Sequence, residues 1–184
     1  MSLVIAIIFQ KQYSILLKRW QTFKNETFIP YRLYRNPGNT PVAEVFQNPE
    51  GGTNCELFVQ AIVRARGFVL PDGIRSSQLY QDTKYTQNIP EVSQAQTGDI
   101  IGLCAVGKIG FVGIHIGIIW RDQTDRILIV HNAKHAGASQ TQGIEEAMQH
   151  RGHEKIAWIK RPVVRASSFA DREALKKIGL DYLA

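Results

Sequence analysis

Cysteine is scarce in this sequence: Cys55 and Cys104 are the only two among 184 residues. Two thiols do not make a disulfide framework. No Cys-x-x-Cys pair exists, so a thioredoxin-like or zinc-ribbon site has no footing. Long apolar runs are missing too. The N-terminal run from Leu3 to Phe9 stops at Gln10-Lys11-Gln12. It is too short to cross a membrane and lacks the basic leader and small-residue cleavage site of a signal peptide. A cytoplasmic location is therefore the default expectation, although a signal-independent export route would leave no mark here. The chain also lacks any concentrated block of one charge. Lys and Arg outnumber Asp and Glu by 22 to 16, giving a net charge of +6. The basic residues are scattered, which argues against a dedicated nucleic-acid patch but implies some affinity for polyanions. No internal repeat is present. At 44% hydrophobic and 21% charged residues, the composition is that of one ordinary globular domain.

Three regions are expected along the chain. Residues 1–48 read as an N-terminal helical and irregular extension, with Tyr13, Leu16, Leu17, Trp20 and Phe23 at helical spacing and a Pro- and Gly-containing connection after Pro30. Residues 49–165 read as the core, and 166–184 as a C-terminal helix packed on it. Within the core the clearest helix begins at Cys55. Gly51-Gly52 breaks the chain, Thr53 or Asn54 supplies the N-cap, and Leu57, Phe58, Ala61, Ile62 and Ala65 share one face up to Gly67. A short helix over 76–82 follows, then strands over 99–105, 111–120, 126–131 and 155–160. A polar hairpin loop spans 121–125. One helix followed by strands able to pair as an antiparallel meander gives an α+β layer architecture.

A thiol attacks carbonyls only as thiolate. Cys55, in the first turn of its helix, faces unpaired N–H groups and the positive end of the dipole, which favour the anion. Gly51 and Gly52 are expected to let substrate approach the backbone closely. The bland alternative is a small buried hydrophobe on a core helix. A base is also required, and His115 lies in the apolar strand Gly113-Ile114-His115-Ile116-Gly117-Ile118. Alone it reads equally well as a core imidazole satisfied by a carbonyl. His131 ends the next strand and is placed to fix the tautomer of His115, with Asn132 in reserve. A zinc site from Cys55, His131 and His135 is conceivable, but the spacing lies on no convincing helix and the glutamate of His-Glu-x-x-His is missing; no metal or other cofactor is expected. Cys104, in an apolar strand, reads as structural.

Five segments in order then resemble the NlpC/P60 family of papain-like cysteine hydrolases, over roughly residues 50–160. They are Asn54-Cys55-Glu56-Leu57-Phe58 opening the helix, Leu70-Pro71 with Arg75-Ser76-Ser77-Gln78, Thr97-Gly98-Asp99-Ile100-Ile101, His115-Ile116-Gly117-Ile118, and Ile129-Val130-His131-Asn132. The resemblance implies a papain-like core in which Cys55 attacks an amide, His115 moves the proton and His131 orients His115. It implies a peptide or bacterial peptidoglycan stem peptide (muropeptide) as substrate, Asn54, Glu56, Ser76 and Ser77 near it, and a structural carboxylate at Asp99. This sequence departs from the family at two places. Asn54 and Glu56 stand where the family carries Asp and Ser, so the ion pair to a free substrate amine is lost. The family's upstream tyrosine has only Tyr31 or Tyr34 to match it. Acyl transfer or glutamine deamidation by a toxin-like effector would use the same triad, and a catalytically silent binding module is the rival outside enzymology.

Overall fold

The computed structural model describes residues 29–105, 115–150, 152–166 and 171–184. Its frame is a six-stranded antiparallel sheet built from β1 (Thr86–Asn88), β2 (Ile100–Cys104), β3 (His115–Arg121), β4 (Ile127–Ala133), β5 (Ala138–Gly143) and β6 (Lys155–Pro162). The spatial order is β1-β6-β2-β3-β4-β5. β2, β3 and β4 form the antiparallel meander expected from apolar runs separated by polar turns, and β5, which was not expected, continues it in place of the segment at 155–160. β6 then returns to the free side of β2, and β1 pairs outside it. The helices are α1 (Glu44–Gln47), α2 (Cys55–Ala65), α3 (Ser76–Gln81), α4 (Ile144–Ala147) and α5 (Arg172–Lys177). The fold is α+β. The helix expected around Tyr13 to Phe23 lies outside the described residues, as do positions 111–114 of the second expected strand.

Strand alternation divides the core in two. Ile100, Ile116, Ile118 and Val130 face α2 and meet Leu57, Phe58, Ala61 and Ile62. Ile101, Leu103, Ile119, Ile129 and Ile159 face the other way, under Ile89, Ala95, Ile144 and Ala147. Each such fully buried aliphatic or aromatic side chain contributes about 1.5–3 kcal/mol. α2 is more enclosed than its single apolar stripe suggests, for Glu56 and Gln60 are buried as well. Glu56 accepts from Ser76, and the Gln60 amide nitrogen donates to the Ile74 carbonyl at 2.6 Å, while the Gln60 oxygen has no partner among the described residues. Ile29, Val42 and Val45 lie in the same core as α2, as do Ala174 and Leu175 of α5. Among the described residues, then, the segments flanking positions 49–165 pack into one continuous interior.

Two strands come from polar sequence. β1 and β5 read as Thr-Gln-Asn and Ala-Ser-Gln-Thr-Gln-Gly. They are the two outer strands of the sheet order, where apolar alternation on both faces is not required.

Candidate active site

Cys55 is the first residue of α2, and Asn54 is its N-cap: the Asn54 side-chain oxygen accepts from the Leu57 N–H at 2.9 Å. The N–H groups of Ile116, Glu56 and Cys55 itself face the sulfur. They stabilise a thiolate, but burial outweighs them and pushes the thiol up to about 11, with the Glu56 carboxylate adding to the rise. The helix start was expected to lower it. The correction has a simple cause: a first turn sunk against a sheet loses more hydration than its dipole returns. Cys104 is buried in β2, and both cysteines are free thiols.

His115 opens β3 and His131 lies near the end of β4, both buried. His115 Nε2 and His131 Nδ1 are 2.6 Å apart. The recorded β3–β4 pairing runs from Ile118↔Val130 to Arg121↔Ile127; continued one step inward, it sets His131 opposite Gly117. The ring then reaches diagonally to His115, two residues away on the same face. Gly117 makes this packing possible. A Cβ there would stand 2.5 Å from Ile129 Cγ1 and 3.0 Å from His131 Cβ. Ile116 N–H lies in the plane of the sheet, so a sulfur held against it sits at the rim between the α2 face and the histidine face. With Nε2 taken by His131, Nδ1 is the nitrogen of His115 left for the thiol. No Cys55–His115 hydrogen bond is formed among the described residues in this conformation.

All five histidines of the chain converge here. The His153 ring stacks on His115 with centroids 4.5 Å apart, and His150 stacks on His135 at 3.5 Å. Burial, and then the neighbouring imidazoles, hold His115 well below the ordinary histidine range and His131 at about 3. Both are neutral near pH 7. Among the described residues, no group of His, Cys, Asp and Glu is arranged to hold a metal ion.

The far nitrogen of His131 is served by β5. Gln140 Nε2 lies 3.1 Å from His131 Nε2, and the Gln142 amide oxygen bonds the same ring. This fixes what the pair can do. When His131 Nε2–H donates to Gln142, its Nδ1 accepts from His115 Nε2–H, and His115 Nδ1 carries a lone pair able to take a proton. When Nε2 instead accepts from Gln140, every proton shifts and His115 Nδ1 carries a hydrogen. The two glutamines therefore select the tautomer of His115. They went unnoticed in the sequence because β5 did, although Gln140 and Gln142 alternate at strand spacing directly after the His131 strand and its turn.

The remaining sequence candidates have other partners. Asn132 does not approach His115; its amide points to the carbonyls of Ile29, Pro30 and Thr53 and to the Thr53 hydroxyl at 2.8–3.3 Å. Glu56 accepts from the Ser76 N–H and hydroxyl at 2.8 and 2.7 Å and pairs with Arg75 Nε at 2.8 Å. Asn54 Nδ2 faces the other Glu56 oxygen at 3.4 Å. An aspartate at position 54 would set two carboxylates against each other, which accounts for an amide here. Ser77 is exposed on α3. Asp99 ties the turn before β2, accepting from Gln96 N–H at 2.8 Å and holding Arg161 with both oxygens. Gly52, with φ +75°, is not open to substrate as expected. A Cβ there would meet the Pro30 carbonyl at 2.5 Å, because residues 30–32 run alongside Thr53. That crossing brings Tyr31 to the site. Its phenol is held protonated by burial and then by negative charge at Cys55 and Glu56. Tyr34 is exposed.

Compared with family models, with curated proteins and with solved structures, the chain matches none of them. The class defined by the described residues is an α+β domain with an antiparallel six-stranded sheet. No helix among them is long and apolar enough to cross a membrane.

Proposed function

We propose that the chain is a cysteine hydrolase of the NlpC/P60-like, papain-like type that cleaves an amide bond in a peptide, peptidoglycan stem peptides being the first substrates to test. One observation carries the reading. The thiol at the start of the central helix is held against the N–H of Ile116, and the preceding residue is an imidazole whose far nitrogen is bonded to a second imidazole.

The resting pair is neutral, thiol and imidazole, so the nucleophile forms only as it reacts. His115 Nδ1 removes the thiol proton while Sγ bonds to the carbonyl carbon. Hydrogen bonds at an apo site commonly close to full contact only in the substrate complex. Backbone N–H groups at the start of α2 receive the developing oxyanion. The imidazolium then protonates the departing amine, leaving a thioester on Cys55, and water activated by the same nitrogen releases the acid. His131 accepts from His115 Nε2–H throughout, and Gln142 holds it in that role. Tyr31 adds a protonated hydroxyl beside the thiol.

The test is mass spectrometry of muropeptide and protein-peptide digests by the wild type, Cys55→Ala and His115→Ala. Wild-type products missing from both variants are expected, with a thioester adduct on Cys55 trapped by acid quench. Cleavage that survives Cys55→Ala would defeat the proposal. Ammonia release or an amine adduct without peptide-bond cleavage would assign the triad to deamidation or transfer instead.

A further inference from the structure

The other end of α2 carries a second concave site. A cavity of about 610 Å³ is lined by four arginines from separate segments: Arg66 capping α2, Arg161 on β6, Arg165 beyond it, and Arg172 opening α5. Its lining carboxylates are Asp99 and, where Ala184 ends the chain, the terminal group. Guanidinium groups therefore outnumber carboxylates by four to two even on the less favourable count. Asp99 is already spent on Arg161, with contacts of 2.9 and 2.8 Å.

Arg66 and Arg161 are held by the fold, whereas Arg165 and Arg172 are exposed. Arg66 donates from Nε to the Leu183 carbonyl at 2.6 Å and from Nη2 to the Thr97 carbonyl at 3.0 Å. Its guanidinium fills the space a side chain at position 98 would need, and Gly98, with φ +95°, leaves that space open. Carbonyls orient this cation without neutralising it. Burial and the nearby Arg165 both oppose its charge, and only Asp99 favours it. Arg165 lies over the Phe68 ring at 3.9 Å. Among the described residues, no carboxylate is paired with Arg165 or Arg172. Guanidinium forks from four segments lining one concavity, two held by the fold and two exposed beside them, are suited to phosphate oxygens, which they grip in pairs. The volume exceeds what a single inorganic anion fills.

We propose that this basin binds a soluble ligand carrying two or more phosphates, such as a nucleoside diphosphate, at a site separate from Cys55. It does not depend on the hydrolase reading, since Cys55 stands at the opposite end of α2.

Calorimetric titration of the full chain with inorganic tripolyphosphate and with ADP, at near-physiological salt, tests it. Saturable binding of one equivalent in the micromolar range is expected, with orthophosphate at least tenfold weaker. The double variant R165E/R172E should lose more than tenfold, and R165K/R172K, which keeps the charge, should fall between it and the parent. A charge-matched pair outside the basin, R32E beside Thr53 and K134E in the turn after β4, should leave affinity within about twofold. Thermal midpoints without ligand establish that each variant is folded. No saturable binding up to about millimolar ligand, or equal losses in both glutamate pairs, would overturn the proposal. So would binding confined to vesicles containing phosphatidylinositol 4-phosphate, because the site would then read a lipid surface.

Discussion

At Cys55 two opposing effects act on one sulfur, and their sizes decide the chemistry. Three N–H groups and a helix start favour the anion, yet dehydration prevails and the thiol titrates at about 11. Alkylation of Cys55 by iodoacetamide should therefore keep rising from pH 7 through pH 10, instead of levelling off near neutrality. Cys104, 1% exposed, should stay unmodified until the protein unfolds. Peptide mapping after timed labelling measures both. A plateau already reached at pH 7 would show a thiolate at rest and require a preformed ion pair with His115. The sequence made Cys55 and the two histidines legible through their positions in regular elements. The sign of the thiol shift was not legible, because burial of a first turn is set by what packs over it.

Among the elements, α2 and α3 are joined by a carboxylate that the sequence suggested for substrate contact. Glu56 closes its bonds to Ser76 and Arg75 inside the molecule, with a side chain only 9% exposed. Glu56→Ala leaves the Ser76 N–H and hydroxyl without their acceptor in a buried place and should cost about 3 kcal/mol of stability in urea unfolding. Glu56→Gln, which keeps an acceptor for Ser76, should cost clearly less. Equal losses would show that the charge on Arg75, not Ser76, is what Glu56 serves. Elements with strong periodicity were read well: α2, α3, and β2, β4 and β6 lie where their apolar positions put them. β5 was not, since Ser139, Gln140, Thr141 and Gln142 carry no apolar alternation. Its strand character comes from pairing with β4, and with it came the two glutamines that govern His131.

For the whole molecule, gathering every histidine at one end makes stability depend on pH in a definite direction. His131 titrates at about 3 in the folded protein and near 6.5 when unfolded, so the unfolded chain takes up protons first as the solution acidifies. Its contribution is complete above pH 6.5 and erodes below, by about 2 kcal/mol at pH 5 from His131 alone. His115, His135 and His153 are lowered as well and act with the same sign. Urea midpoints should fall steadily from pH 7.5 to pH 5, and His131→Asn should flatten part of that slope. A midpoint unchanged over this interval would mean that the cluster is hydrated and open. The convergence of five imidazoles, drawn from β3, β4, the β4–β5 turn and the stretch after α4, could not be foreseen from sequence, where only His115 and His131 stood on strands.

The outer flank of β5 is not bare. Ile29 and Tyr31 bond to Ser139 and Gly137, and Pro30, which has no N–H to offer, bridges Ala138 between them. A ribbon with open donors and acceptors is an invitation to any extended chain. Here that margin is sealed by a short strip of the same molecule whose middle residue cannot extend the ladder, so growth by strand addition is blocked on the flank beside the histidines. Losing those three residues would take the Pro30 carbonyl from Thr53 N–H, take two of its acceptors from the Asn132 amide and expose a sticky seam in one stroke, coupling the integrity of the thiol's surroundings to the protein's resistance to clumping.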